Sequence, residues 1–128
     1  MKPPIERPTI ATVRADGSPH VVPVWYRWDG ERILVWTTDR RAWVKNVIRD
    51  RRVSVSVQEA APPYAAVLLH GRAAARTGPD EEITAEIRRI TQRYIPPAEV
   101  DAYVAGWPRL RTIVAVHPQS LTGWSRGY

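Results

Sequence analysis

The sequence has no cysteine and no phenylalanine, and its single methionine is the first residue. Without cysteine there is neither a disulfide framework nor a thiolate metal site, and nothing favours an oxidising compartment. No apolar run approaches the roughly 18 residues of a membrane-spanning helix. The opening MKPPIERPTI lacks the apolar core of a secretory signal, so a cytoplasmic protein is expected. Lysine is scarce: of 19 basic residues, all but Lys2 and Lys45 are arginine. The three histidines, His20, His70 and His117, stand far apart, with no spacing that would make a metal site.

What is present is the balance of an ordinary globular protein, 44% hydrophobic and 25% charged. At 128 residues it is expected to form one domain, 1–128, long enough to bury a real core. A net charge of +6 and a pI near 10.3 favour anionic partners: nucleic acid, an acidic membrane surface or a phosphorylated small molecule. The arginine excess is also what the base composition of a genome produces on its own.

The chain begins with strand patterns. Pro8–Arg14 alternates and is rich in β-branched residues; Ala15–Ser18 is turn chemistry with Gly17 free to take positive φ. His20–Trp28 reads as the second strand, and Asp29-Gly30 as a hairpin turn into Arg32–Thr38. Pro23 has no N–H to give a ladder, which implies an edge, a bulge or something other than a strand against that backbone. Asp39 is the expected N-cap of a helix over Arg40–Arg49, with Trp43, Val44, Val47 and Ile48 on its apolar face. Arg41, Lys45 and Arg49 form a basic stripe on the other side.

Arg52–Gln58 alternates strictly between valine and polar residues, so one face of that strand is buried. Pro62-Pro63 closes a loop. Tyr64–Arg76 is a long strand in which Gly71 suggests a bulge or bend, and His70 on it reads as structural. Pro79–Tyr94 is helical, with Ile83, Ile87, Ile90 and Tyr94 in period and acids before bases along the dipole. Ala98–Ala105 adds a short helix stopped at Gly106. Arg111–Val116 is a strand, Pro118 interrupts, and Ser120–Trp124 gives a final short one. Hairpin connections dominate, so the fold class is a β-barrel with flanking helices (α+β) and an antiparallel sheet.

The stretch Ile33–Val57 carries the chemistry. A strand ends in Thr37-Thr38-Asp39 and becomes a basic helix, so hydroxyls, unpaired helix N–H groups and cations meet at one place. That is an anion cradle.

The segments ATVRADGSPHVVPVWYRWDGERILVWTT, NVIRDRRVSVSV and AVLLHGRA, in this order and at these intervals, resemble the pyridoxamine 5′-phosphate oxidase-like, flavin-binding split-barrel superfamily. Within it, the nearest likeness is the actinobacterial branch that uses the deazaflavin coenzyme F420. The resemblance runs from about Ile10 to Ala75, with a weaker match in RLRTIVAVHPQSLTGW. It implies a six-stranded antiparallel split β-barrel that forms a homodimer, with cofactor sites at the subunit interface. It implies hydride transfer between coenzyme F420, or alternatively FMN, and a small organic substrate.

By the same likeness the second strand passes along the cofactor ring, giving His20, Val22, Pro23, Val24 and Trp25 as neighbours. Trp36 and Thr37 match an aromatic–threonine pair near the cofactor phosphate. Ala42 and Trp43 stand where the family's oxidases carry an Arg-Lys pair, so Thr38, Arg40, Arg41 and Lys45 are the candidates for holding the phosphate. His20 and Tyr26, read as sharing a strand face, are possible proton donors. An oligoglutamate tail suits the basic track of Arg40, Arg41, Lys45 and Arg49. A cofactor binder without turnover is the alternative. A basic nucleic-acid-binding barrel is the remote one, because no RNA-binding or zinc signature accompanies the arginines.

Overall fold

A computed structural model of the protein describes residues 8–59, 65–108 and 110–125. The opening segment and the Pro62-Pro63 loop with Tyr64 lie outside the described residues. In chain order the elements are β1 (Thr9–Val13), β2 (Pro19–Pro23), β3 (Tyr26–Trp28), β4 (Ile33–Thr38), α1 (Ala42–Arg49), β5 (Arg52–Gln58) and β6 (Ala65–Gly78). Then follow α2 (Glu81–Thr91), a 3₁₀ turn (Pro97–Glu99), α3 (Val100–Ala105) and β7 (Arg111–Ser125).

All seven strands join one sheet in the order β2-β1-β5-β6-β7-β4-β3, each pair antiparallel. The two edge strands, β2 and β3, are consecutive in the chain, with only Val24 and Trp25 between them. Three Cα–Cα steps span at most about 11 Å, so the sheet curls until its edges almost meet. The result is a split barrel.

There are seven strands rather than six because His20–Trp28 is not continuous. Pro23 has no N–H, the N–H of Val24 turns back to Pro8 O at 3.0 Å, and the N–H of Tyr26 goes to the Tyr94 hydroxyl at 3.2 Å. Pro23 therefore lies on an edge strand and not on an interior one, in keeping with its missing donor. Splitting the segment also puts His20 on β2 and Tyr26 on β3, so they do not share a strand face.

The inner face of the curled sheet (Ile10, Val35, Val53, Val55, Leu69, Val114, Val116) closes around Trp43, Val44 and Val47 of α1. Burying each of those three side chains contributes about 1.5–3 kcal/mol. Leu34 and Trp36 point the other way and pack under α2 and α3. Because β4 is covered on both sides, it reads as the unbroken apolar run ILVW.

α1 starts later than expected. β4 stays paired as far as Thr38, opposite Arg111, so Asp39 and Arg40 are used in turning the chain. Arg41 becomes the N-cap, with no side-chain hydrogen bond. Ile48 is 68% exposed, and Asn46 takes the buried place expected for it. The Asn46 amide donates to Thr12 Oγ1 at 3.0 Å, which gives this buried polar group a partner.

α2 begins at Glu81, capped by Asp80, which accepts from the Ile83 N–H at 3.0 Å. The final two strand segments are one strand, β7. Pro118 is tolerated within it because it faces the bulge at His70/Gly71, where the register of β6 against β7 shifts. His70 is held by Ser54, its cross-strand neighbour, with 2.7 Å between Oγ and Nδ1.

Two local features make measurable predictions. A Cβ at Gly71 would sit 2.2 Å from the His117 carbonyl oxygen. Gly71→Ala is expected to cost about 1–3 kcal/mol in urea unfolding. In the β3–β4 turn, Gly30 has φ 102° and Asp29 accepts from the N–H groups of Glu31 and Arg32. Desolvation acts to raise the Asp29 pKa, but those N–H groups and the Arg32 guanidinium outweigh it and hold it down at about 2. The stability this gives is present above the unfolded carboxylate value near 4 and lost as pH falls towards 2. Thermal melts of Asp29→Asn should therefore show a shallower decline across that window than the parent.

Candidate functional site

A cleft of about 490 Å³ opens where the β2–β3 link, the end of β4, the start of α1 and the α3 segment converge. One wall is Val22, Pro23, Val24 and Trp25, from the end of β2 and the link. The floor is Trp36, Thr37 and Thr38 at the end of β4, with Arg41 and Trp43 from the entry of α1. Tyr103 and Trp107 close the cleft from the α3 side, Tyr103 against Trp25 with ring centroids 5.4 Å apart.

Of the positions expected from sequence, Val22, Pro23, Val24, Trp25, Trp36, Thr37, Thr38 and Arg41 are brought together here. His20, Arg40 and Lys45 are not among the lining residues. His20 lies 3.4 Å from Asn46 Nδ2. Arg49, the last of the basic stripe, donates to Val13 O and Asn46 Oδ1 and so braces α1 against β1. Tyr26 packs against the inner core and carries the Arg93 guanidinium over its ring, 4.4 Å from the centroid.

The polar end of the cleft is cationic. Arg41 is its only charged lining residue among the described residues, and neither it nor Arg40 or Lys45 has an ion-pair partner there. α1 has no acidic residue in its first turn and no side-chain cap, so its leading N–H groups are left for another acceptor. By contrast α2 carries Asp80, Glu81 and Glu82 at the same position. Trp43 is 5% exposed and belongs to the barrel core.

The other end is aromatic. Trp36 meets Tyr103 and Trp107 edge to face, with centroids 6.4 and 5.9 Å away. Trp36 Nε1 is buried with no hydrogen-bond partner. Tyr103 and Trp107 gave no signal in the sequence, because a six-residue helix between prolines carries too little periodicity to assign a face. What places them is Arg111, 8% exposed, which donates to Val104 O at 3.0 Å and Pro108 O at 2.9 Å. It satisfies carbonyls at and beyond the end of α3.

A second hollow, about 720 Å³, lies between α2 and the outside of the sheet. Its charges largely neutralise one another: Arg76 pairs with Asp80 and Glu82, and Glu86 with Arg27 and Arg89. The first cleft is the one with unspent positive charge. Among the described residues no group of histidine, aspartate and glutamate could hold a metal ion, and no helix is long and apolar enough to cross a membrane.

The family model described as pyridoxamine 5′-phosphate oxidase matches residues 6–125, so the chain belongs to that family. No curated protein matches the sequence. Among solved structures, an F420 reductase is 28% identical over 91% of this chain and 89% of its own, with a TM-score of 0.70. The conserved hypothetical protein Rv2991 of Mycobacterium tuberculosis is 24% identical over 95% of this chain and 78% of its own, with a TM-score of 0.77. The heme storage protein HutZ of Vibrio cholerae shares 16% identity over 95% of this chain and 87% of its own, at 0.71. The last two likenesses concern the fold alone.

Removing the brace at Arg111 tests how the cleft wall is held. Arg111→Ala should speed hydrogen exchange of the α3 amides and red-shift tryptophan emission, while β1 and β5 amides keep their protection.

Proposed function

We propose that the protein is an oxidoreductase that passes a hydride between coenzyme F420 and a small organic substrate, with FMN the alternative cofactor. The observation that carries this reading is a cleft with hydroxyls and an unpaired arginine at one end and flat apolar rings at the other. The donor set fits the group: Thr37, Thr38 and Arg41 can take a phosphate, and no carboxylate in the lining opposes it. The likeness to an F420 reductase supports the deazaflavin.

When bound, the cofactor ring supplies the carbon or nitrogen that gives or takes the hydride. The chain's own residues do the rest. Arg41 and the two threonines anchor the anionic end with charge-assisted bonds. Val22–Trp25 lie along the ring and keep water from one side. Tyr103 and Trp107 close the aromatic end of the cleft. Arg40 and Lys45, exposed and without acidic partners among the described residues, extend the positive field along α1 for a polyanionic tail. The protein acts as a cytoplasmic homodimer with the cofactor between subunits. A binder without turnover is favoured to the extent that Trp43 occupies the place of a family lysine, and a turnover assay separates the two.

Titration with F420 and FMN, followed by absorbance and fluorescence, tests the reading. Micromolar or tighter binding of at least one is expected; binding of neither contradicts it. Loss of one charged hydrogen-bond partner costs about 1.5–3 kcal/mol. Arg41→Ala should thus weaken binding by roughly ten- to a hundredfold, and Lys45→Ala by less.

A further inference from the structure

The aromatic end of the cleft is closed by its own rings over a donor that has nothing to bond. Two buried side-chain atoms, Thr91 Oγ1 and Trp36 Nε1, have no hydrogen-bond partner among the described residues. Of the two residues, only Trp36 lines the cleft. It is 9% exposed, and the cluster it belongs to surrounds it with apolar side chains such as Leu34, Ile87 and Val104. Tyr103 and Trp107 meet its ring edge to face, and their own centroids are 6.0 Å apart. An indole nitrogen is a donor only, and it usually finds a partner when buried.

Folding has already stripped this N–H of water, and a buried donor without an acceptor is destabilising. A hydrogen bond made on binding is ordinarily weak, because a bond to water is given up for it. Here no bond to water is given up, so an acceptor brought by a ligand gains nearly the whole interaction. A lone water is a poor substitute: it needs two or more polar partners, and the apolar side chains supply no second one. An oxygen carried on a flat apolar ring meets both demands of the place, since the ring suits the walls and the oxygen suits the N–H. Tyr103 and Trp107 are half-buried, whereas the backbone that bears them is fixed elsewhere. Val100 and Val104 are 7% and 3% exposed, and Arg111 donates to Val104 O and Pro108 O. The two rings can therefore turn about their side-chain torsions while α3 stays in place.

We propose that Trp36 Nε1–H is the donor of a ligand subsite at the aromatic end of the cleft. It takes a carbonyl or ionised oxygen carried on a flat ring, and Tyr103 and Trp107 cover it until such a ligand turns them aside. This rests on the cleft being the binding site, as in the proposed function, but not on phosphate recognition. A cofactor ring and a substrate ring can each carry the oxygen.

The experiment uses fluorenone and fluorene, flat tricyclic probes without phosphate that differ by one carbonyl oxygen. Fluorene is the more apolar, so burial between aromatic walls alone favours it. The full chain should instead bind fluorenone more tightly, by about tenfold or more. The chain has six tryptophans, and the indole signal of Trp36 in the ¹⁵N–¹H spectrum is assigned by its loss in Trp36→Phe. Fluorenone should move that signal downfield and fluorene should not. Trp36→Phe should lose the preference for fluorenone. Tyr103→Ala, which removes part of the cover, should speed solvent exchange of the Trp36 indole proton. Equal, weaker or absent binding of fluorenone by wild type overturns the proposal, and so does a Trp36 indole signal that fluorenone leaves in place. A folded Trp36→Phe that still prefers fluorenone overturns it as well. If that variant does not fold, the signal is assigned through its proximity to the Tyr103 ring, and the wild-type shift decides. Unchanged exchange in Tyr103→Ala overturns the role of the cover. A signal that also moves with F420 or FMN alone assigns the oxygen to the cofactor ring; one that moves with fluorenone only assigns it to the substrate. Fluorenone preference through Trp36 in a chain that takes neither F420 nor FMN defeats the proposed function alone. Uptake of either cofactor by a chain that treats both probes alike defeats this inference alone.

Discussion

The molecule depends on a short covalent tie between the two free edges of its sheet. β2 and β3 lie at opposite ends of the strand order, yet Val24 and Trp25 alone join them. No flat sheet satisfies that link, so the strands curl, an interior forms, and α1 fills it with Trp43, Val44 and Val47. The same tie leaves a gap in the ladder, because a two-residue link at the seam cannot pair on both sides. The cleft opens at that gap. Fold and site therefore share one cause.

The curvature is accommodated elsewhere in the sheet. β6 and β7 run for 14 and 15 residues and bend at the Gly71/Pro118 bulge, where a side chain on Gly71 would strike the His117 carbonyl. Around the seam, polar side chains take over what ladder bonds cannot do. Tyr94 and Arg93 satisfy Tyr26, and Arg111 satisfies the end of α3. The bonds to Tyr26 span more than 60 residues of sequence and those of Arg111 only three and seven, and both kinds join side chain to backbone beside the cleft.

That distinction explains how much could be read from the sequence. Strands whose identity lies in their own pattern were legible, as with the valine alternation of β5. The same holds for turns with an obligatory residue, such as Asp29-Gly30, and for the bulge marked by Gly71. The site's floor, Trp36-Thr37-Thr38, and its cation at Arg41 could be named because they follow one another along the chain. The break at Val24–Trp25 was not legible, because its cause is a tyrosine 68 residues away in sequence from the N–H that it accepts. The start of α1 was misplaced for a similar reason: Thr38 stays paired to Arg111, and local capping preference cannot outbid a ladder. Tyr103 and Trp107 join the cleft through tertiary contacts, with Trp36 and through the Arg111 bonds to the end of α3, which local pattern does not reveal. Family membership extends the legible part to residues 6–125.

The central claim is that the anionic end of a ring cofactor is seated where β4 hands over to α1. It is tested most directly by the ¹⁵N–¹H spectrum of the protein as F420, and separately FMN, is added. The account predicts that the Arg41 guanidinium Nε signal and the Thr37 and Thr38 amides move first and farthest. Signals around His117 and Arg72, at the other end of the barrel, should stay in place. A cofactor that binds while leaving Arg41, Thr37 and Thr38 unmoved would contradict the account.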